Sequence, residues 1–190
     1  MKRMKRILVF TMCVLLLASL SGCGSGNSTP EPTAPPTPEP SAEPAEAEAD
    51  FAPDFTFSAV DRDGNEWTEQ SFADHELTMI NFWEPWCPPC VGEMPDLQKL
   101  SEKYADRGLQ VLGVYSEKNM ESEVEALIQK SGVAYPLLRY VPAFDAFQSG
   151  YVPTTVFVDS RGHVLEVSGE RLVVGSRTLE EWSAVVEGLR

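Results

Sequence analysis

Apolar residues gather along this chain in short runs and helical stripes, and each arrangement implies an element. Leu77-Thr78-Met79-Ile80-Asn81-Phe82-Trp83 is a mostly apolar run with the length of a buried strand, and Leu109 to Tyr115 is a second. Between them Met94, Leu97, Leu100 and Tyr104 fall on one helical stripe, with Pro95 expected to bend the helix. Val124, Leu127 and Ile128 mark the inward face of another helix. This strand-helix-strand-helix order implies a parallel pair joined by a right-handed crossover. Upstream, the alternation over Phe51 to Phe57 suits a strand, and Val60 to Trp67 reads as a hairpin turned at Asp63-Gly64. Downstream, Tyr135 to Leu138 looks extended and Pro142 to Gln148 reads as a short helix. Val152 to Asp159 and His163 to Val167 read as an antiparallel hairpin turned at Ser160-Arg161-Gly162. Thr178 and Glu181 form a capping box, after which Leu179, Trp182, Val186 and Leu189 line the buried side of a terminal helix. The fold class is therefore α/β: a central mixed sheet with helices on both faces and an N-terminal β-hairpin. Trp182 is read as core and His163 as a strand residue.

At 190 residues and 43% apolar content, with four Trp and nine Phe, the chain can build one ordinary domain with a real core. Its first fifty residues stand apart from that pattern. Met1 to Arg6 is basic, and Ile7 to Leu20 is an apolar stretch of fourteen residues, the length of an export signal and short for a membrane span. Leu20-Ser21-Gly22-Cys23 then places small residues before a cysteine, which resembles the lipobox of bacterial lipoproteins. That resemblance implies a diacylglyceryl thioether on Cys23, cleavage before it and stable anchoring by two acyl chains. An ordinary cleaved signal followed by a chance cysteine is the other reading. From Gly24 to Asp50 the chain has seven prolines, six acids and no aromatic residue. It cannot bury enough apolar surface to offset its ordering, so it is expected to be a disordered tether, reaching on the order of 80 Å at about 3.1 Å per residue if extended. The domain boundaries are thus 1–22 for the signal, 23–50 for the lipidated cysteine and tether, and 51–190 for the folded domain. Without Lys2, Arg3, Lys5 and Arg6 the net charge goes from −14 to −18. With no basic cluster, nucleic acid is excluded as a partner, and anionic headgroups would repel the domain.

The candidate chemistry sits at the end of the first apolar run, in Asn81-Phe82-Trp83-Glu84-Pro85-Trp86-Cys87-Pro88-Pro89-Cys90. Two cysteines two residues apart, where a strand gives way to a helix, lie at a helix N-terminus. Unpaired backbone N–H groups and the positive end of the macrodipole there favour a thiolate, the form that acts as nucleophile. A structural zinc site needs about four ligands, and the chain offers only His75 and His163 besides these cysteines. A structural disulfide over so small a loop would stabilise little. If Cys13 leaves with the signal and Cys23 carries lipid, Cys87 and Cys90 are the remaining thiols, and an exported protein holds such a pair for exchange chemistry. No cofactor and no metal are expected.

Trp86-Cys87-Pro88-Pro89-Cys90 after an apolar strand, Pro95 in the helix and Val152-Pro153-Thr154-Thr155 some sixty residues on resemble the thioredoxin fold. The lipid signal, with Glu93 three residues past the second cysteine, resembles the membrane-anchored TlpA/ResA type of thiol-disulfide oxidoreductase. The match covers roughly residues 51–190, with the hairpin and a central insertion near residues 119–150 similar to that family's additions. The sequence departs from thioredoxin at Asn81, where thioredoxin carries a buried Asp. The Pro-x-x-x-Thr-x-x-Cys run of peroxiredoxins is absent.

The resemblance implies that Cys87, the more exposed thiol, attacks a client disulfide and that Cys90 resolves the mixed disulfide. It implies that Glu93 handles protons and that Pro153 is cis, leaving the Val152 backbone to pair with the client, while Trp86 packs beside the motif. Expected partners are disulfides of exported proteins, such as apocytochrome c or a methionine sulfoxide reductase, and a transmembrane thiol donor of electrons. The protein is expected to act as a monomer outside the cytoplasm. Two alternatives stay open: an oxidant of the same fold that installs disulfides, and a lipid-tethered binding module whose cysteines are incidental.

Overall fold

The two apolar runs become the middle of a sheet because both of their faces are covered. In the computed structural model, which describes residues 51–190, β3 (Leu77–Phe82) and β4 (Leu109–Tyr115) are buried along their whole length, as strands covered on two faces must be. They pair in parallel through the helix α1 (Pro88–Tyr104). A second helix, α2 (Glu121–Ser131), returns the chain to β5 (Leu137–Arg139), also parallel to β4. On the other side of β3 lies β6 (Thr154–Asp159), antiparallel, followed by β7 (Val164–Leu165) and β8 (Val173–Val174), both paired with β6. Among the described residues this gives a six-stranded mixed sheet ordered β5-β4-β3-β6-β7, with β8 off that path. The terminal helix α3 (Leu179–Gly188) opens on the expected Thr178–Glu181 capping box. The signal, Cys23 and tether expected over residues 1–50 lie outside the described residues.

Both parallel crossovers travel the same way across the sheet, so right-handedness puts α1 and α2 on the same face. There Met94, Leu97, Leu100 and Tyr104 of α1, Val124 of α2 and Trp182 and Val186 of α3 form one core with Leu77, Met79, Val111 and Phe157. The expectation of helices on both faces is met on the second face by short 3-10 segments, Glu69–Phe72 and Pro142–Phe147. These bury Phe72, Phe144 and Phe147 against Phe57, Ile80, Phe82, Leu112 and Val156. The hairpin of β1 (Ser58–Val60) and β2 (Glu66–Thr68) covers the same side, its Ala59 belonging to that core.

One expectation fails locally. Phe51 to Phe57 alternate but form no strand, because the backbone there bonds outside any ladder: Asp54 N–H donates to the Gly162 carbonyl and Phe57 N–H to the Glu69 carboxylate. Their aromatic rings pack instead, Phe55 edge-on to Phe147 at 4.7 Å between centroids. The short strand β8 was not anticipated, since two residues are too few for a periodicity to show.

Candidate active site

Side chains in a strand alternate between faces, so Leu77, Met79 and Asn81 of β3 point toward α1 while Thr78, Ile80 and Phe82 point away. Two residues past the strand the chain turns, and Cys87 becomes the N-cap of α1, with Pro88 and Pro89 in the first turn, where their missing N–H groups cost nothing. Cys87 Sγ accepts from the Cys90 N–H at 3.3 Å, so the sulfur occupies the place of an N-cap oxygen. A negative charge on that sulfur would be stabilised by this N–H and by the helix dipole. Cys87 and Cys90 are joined as a disulfide. Both are buried, Cys87 at 4% exposure and Cys90 at 1%, so the expected contrast in accessibility is slight in this oxidised form.

Pro153 stands in a cis peptide bond with Val152, and the Val152 carbonyl oxygen lies 3.5 Å from Cys87 Sγ. With the disulfide formed, that sulfur carries no proton and the approach is a contact. Trp86, expected to pack beside the motif, is instead turned to solvent at 59% exposure. The core beside the cysteines is already filled by Trp83, whose ring lies tilted against Tyr115 at 5.3 Å between centroids. Tyr151, next to Val152, is 73% exposed, and Val174, whose neighbour Gly175 donates its N–H to the Pro153 carbonyl, is also exposed. Trp86, Tyr151 and Val174 are thus large apolar side chains left exposed on the segments that carry the cysteine motif, the cis proline and the strand beside it.

Beneath the disulfide, on the buried stripe of α1, lies Glu93 at 3% exposure. Its carboxylate collects donors from three elements. Asn81 Nδ2 of β3 donates to Oε1 at 3.0 Å, the Arg177 backbone N–H donates to Oε2 at 3.1 Å, and Trp182 Nε1 of α3 donates to Oε2 at 3.3 Å. Asn81 is itself fixed by donating to Thr155 Oγ1 of β6 at 3.1 Å. Burial is the largest influence on this carboxyl and holds it above the usual carboxylate range; the three donors and the charge of Arg177 pull it back only in part. Glu93 is thus a buried acid that can keep its proton at higher pH than an exposed glutamate. Burial and the nearby Glu93 charge together push the Tyr135 hydroxyl far above its ordinary value.

The site thus brings together Cys87, Cys90, Glu93, Val152 and Pro153, with Trp86 on its rim. Trp182, read from sequence as core, is core and also a donor to Glu93. Its indole N–H was the available signal, because a buried tryptophan needs a partner for that group. His75 and His163 lie elsewhere, His75 Nε2 beside Gln110 and His163 Nδ1 beside Asp54. No cluster of three or more His, Cys, Asp or Glu suited to a metal occurs among the described residues.

Comparison with known proteins agrees with this geometry. The AhpC/TSA family model matches residues 49–167. The chain is 31% identical over 132 residues to the thiol-disulfide oxidoreductase ResA of Oceanobacillus iheyensis, covering 68% of this chain and 66% of that protein. It is 30% identical over 133 residues to the thioredoxin-like protein YneN of Bacillus subtilis, covering 68% of this chain and 73% of that one. Among solved structures, a thioredoxin-family thiol:disulfide interchange protein from Chlorobium tepidum superimposes with a TM-score of 0.60 at 26% identity, over 73% of this chain and 95% of the other. StoA of Bacillus subtilis superimposes with a TM-score of 0.56 at 19% identity, over 72% and 98% of the two chains, and shows the shared fold. The chain belongs to the AhpC/TSA family, among its thioredoxin-like thiol-disulfide oxidoreductases.

Proposed function

We propose that this protein works outside the cytoplasm, held to the membrane by lipid on Cys23, and reduces disulfides of exported proteins with the Cys87–Cys90 dithiol. The observation that carries the reading is the buried Glu93 carboxyl under a cysteine pair whose first sulfur caps a helix. In the dithiol, Cys87 thiolate attacks one sulfur of a client disulfide, forming a Cys87–client bond and expelling the other client sulfur as thiolate, which takes a proton. Cys90 then gives up its proton and attacks Cys87 Sγ. The Cys87–Cys90 disulfide forms, the second client sulfur leaves, and two electrons and two protons have passed to the client. Glu93 is the group placed to take and return the Cys90 proton. The Val152 backbone, Pro153 and Trp86 receive the client chain. Reset requires a reducing thiol partner, on this reading one that carries electrons across the membrane. ResA relatives support this reading over that of a passive tethered module.

The direction of electron flow is tested in cells. With Cys87→Ser, exported clients should accumulate in their oxidised forms when free thiols are counted by alkylation, and accumulation of reduced forms would turn the reading into that of an oxidant. The anchor has its own test. The full chain should sediment with membranes and partition into detergent, and Cys23→Ala should abolish acylation. A soluble, unacylated wild type in its native host would remove the lipid from the account.

A further inference from the structure

Beside the disulfide, past the C-terminal ends of β3 and β4, the fold leaves a crevice lined by Phe82, Glu84, Val114, Tyr140, Gln148 and Val152. Ligands of open α/β sheets bind in such crevices, outside the carboxyl ends of the strands. This one shares Val152 with the redox site and is tied to it through Glu84, whose backbone carbonyl accepts from the Cys87 N–H at 3.0 Å.

Glu84 is only 8% exposed. Its Oε1 accepts from the Ser116 N–H at 2.9 Å and from the Ser116 hydroxyl, and its Oε2 accepts from the Glu117 N–H at 3.1 Å. A carboxylate offers about four acceptor positions, so one on Oε2 is left over. No Lys, Arg or His forms an ion pair with Glu84 among the described residues. A carboxylate this buried is ordinarily matched by a cation. Here the bonds from Ser116 and Glu117 staple two loops together but bring no positive charge, and Glu84 is one of the residues that line the crevice.

We propose that this crevice is a subsite for a lysine or arginine side chain of the client, next to the client cysteine that Cys87 attacks. It rests on the reading that Cys87 exchanges with client disulfides. The aliphatic stem of the client residue lies along Phe82, Val114 and Val152, and its cationic head reaches Glu84, the division of contacts that long basic side chains make with mixed surfaces. Glu84 is on this account a residue that sets client specificity.

The test uses the reduced full chain and a set of disulfide peptides in which lysine, norleucine or glutamate occupies each of the three positions on either side of the attacked cysteine. Rate constants for peptide reduction are compared for wild type, E84Q and E166Q, Glu166 being an exposed acid outside the crevice. Wild type should favour lysine over norleucine about tenfold at one position and far less elsewhere. E84Q should bring that ratio below about twofold, and E166Q should retain it. An equal lysine preference at every position would be long-range attraction to an acidic domain and would overturn the subsite, as would a preference that survives in a folded E84Q. The wild-type series decides the matter alone if E84Q does not fold. No reduction of any peptide would remove the redox reading itself, and the subsite with it.

Discussion

Cys90→Ala should arrest the protein on its client. With the resolving thiol gone, Cys87 still attacks, and the mixed disulfide has no intramolecular route of escape. Adducts should survive non-reducing electrophoresis, vanish with dithiothreitol and exceed those of wild type by well over about tenfold, because the wild-type intermediate is consumed by a neighbour already in place. Cys87→Ala should trap little. Cys90 lies within the first turn of α1 with its own N–H turned to Cys87 Sγ, so it lacks the capping position that favours a thiolate at Cys87. Mass spectrometry of the adducts also names the clients. Apocytochromes or a methionine sulfoxide reductase fit a reductant, whereas newly exported proteins of many kinds fit an oxidant. Equal trapping by the two variants would show that the nucleophile is assigned wrongly.

Glu93→Gln should slow client reduction at neutral pH by about a hundredfold, the lower range of what a positioned proton carrier contributes. It should also move the thiol alkylation profile. Above its own titration Glu93 is negative and opposes a second negative charge on the sulfurs beside it, so replacing it with a neutral amide should shift the midpoint downward, by about one pH unit for a coupling of about 1.4 kcal/mol. The stability of the fold carries the same signature with a definite sign. Because burial holds the Glu93 carboxyl above its unfolded value, the folded chain binds this proton more tightly than the unfolded chain. Glu93 therefore favours folding most below the unfolded titration near about pH 4.3, and stability falls as pH rises through the folded value. In thermal unfolding across this range, the stability of wild type relative to Glu93→Gln should fall as pH rises, the other carboxylates contributing to both proteins alike. Superimposable alkylation curves would leave Glu93 a structural residue.

Much of this site could be read before any fold was known, for reasons that lie in particular residues. Cys90, Met94, Leu97 and Tyr104 recur at helical spacing, and Glu93 falls on the same stripe. Its role came from the family resemblance, and whether it lay in the core or on the solvated edge of the stripe could not be read from the sequence. Asn81 shares the parity of Leu77 and Met79 in β3, which turns it toward that stripe. The identities of the other donors could not be read. The Arg177 N–H and Trp182 Nε1 come from more than eighty residues further along the chain, and periodicity within an element says nothing about which elements meet. Glu84 was hidden for a related reason: its partners Ser116 and Glu117 follow a different strand, and only the parallel pairing of β3 with β4 brings the two loops together. The exposure of Trp86 ran against expectation because Trp83, three residues earlier, already occupies the core position beside the cysteines.

The measurement that bears most directly on the central claim is the reduction potential of the Cys87–Cys90 pair, obtained by equilibrating the protein in thiol-disulfide buffers of known ratio and counting free thiols after acid quenching. Reductants of this fold lie near about −270 mV and oxidants near about −120 mV, a gap of about 7 kcal/mol for two electrons. A protein that reduces exported disulfides should titrate at the reducing end, below about −200 mV. A value near about −120 mV would contradict that account and make this chain a donor of disulfides.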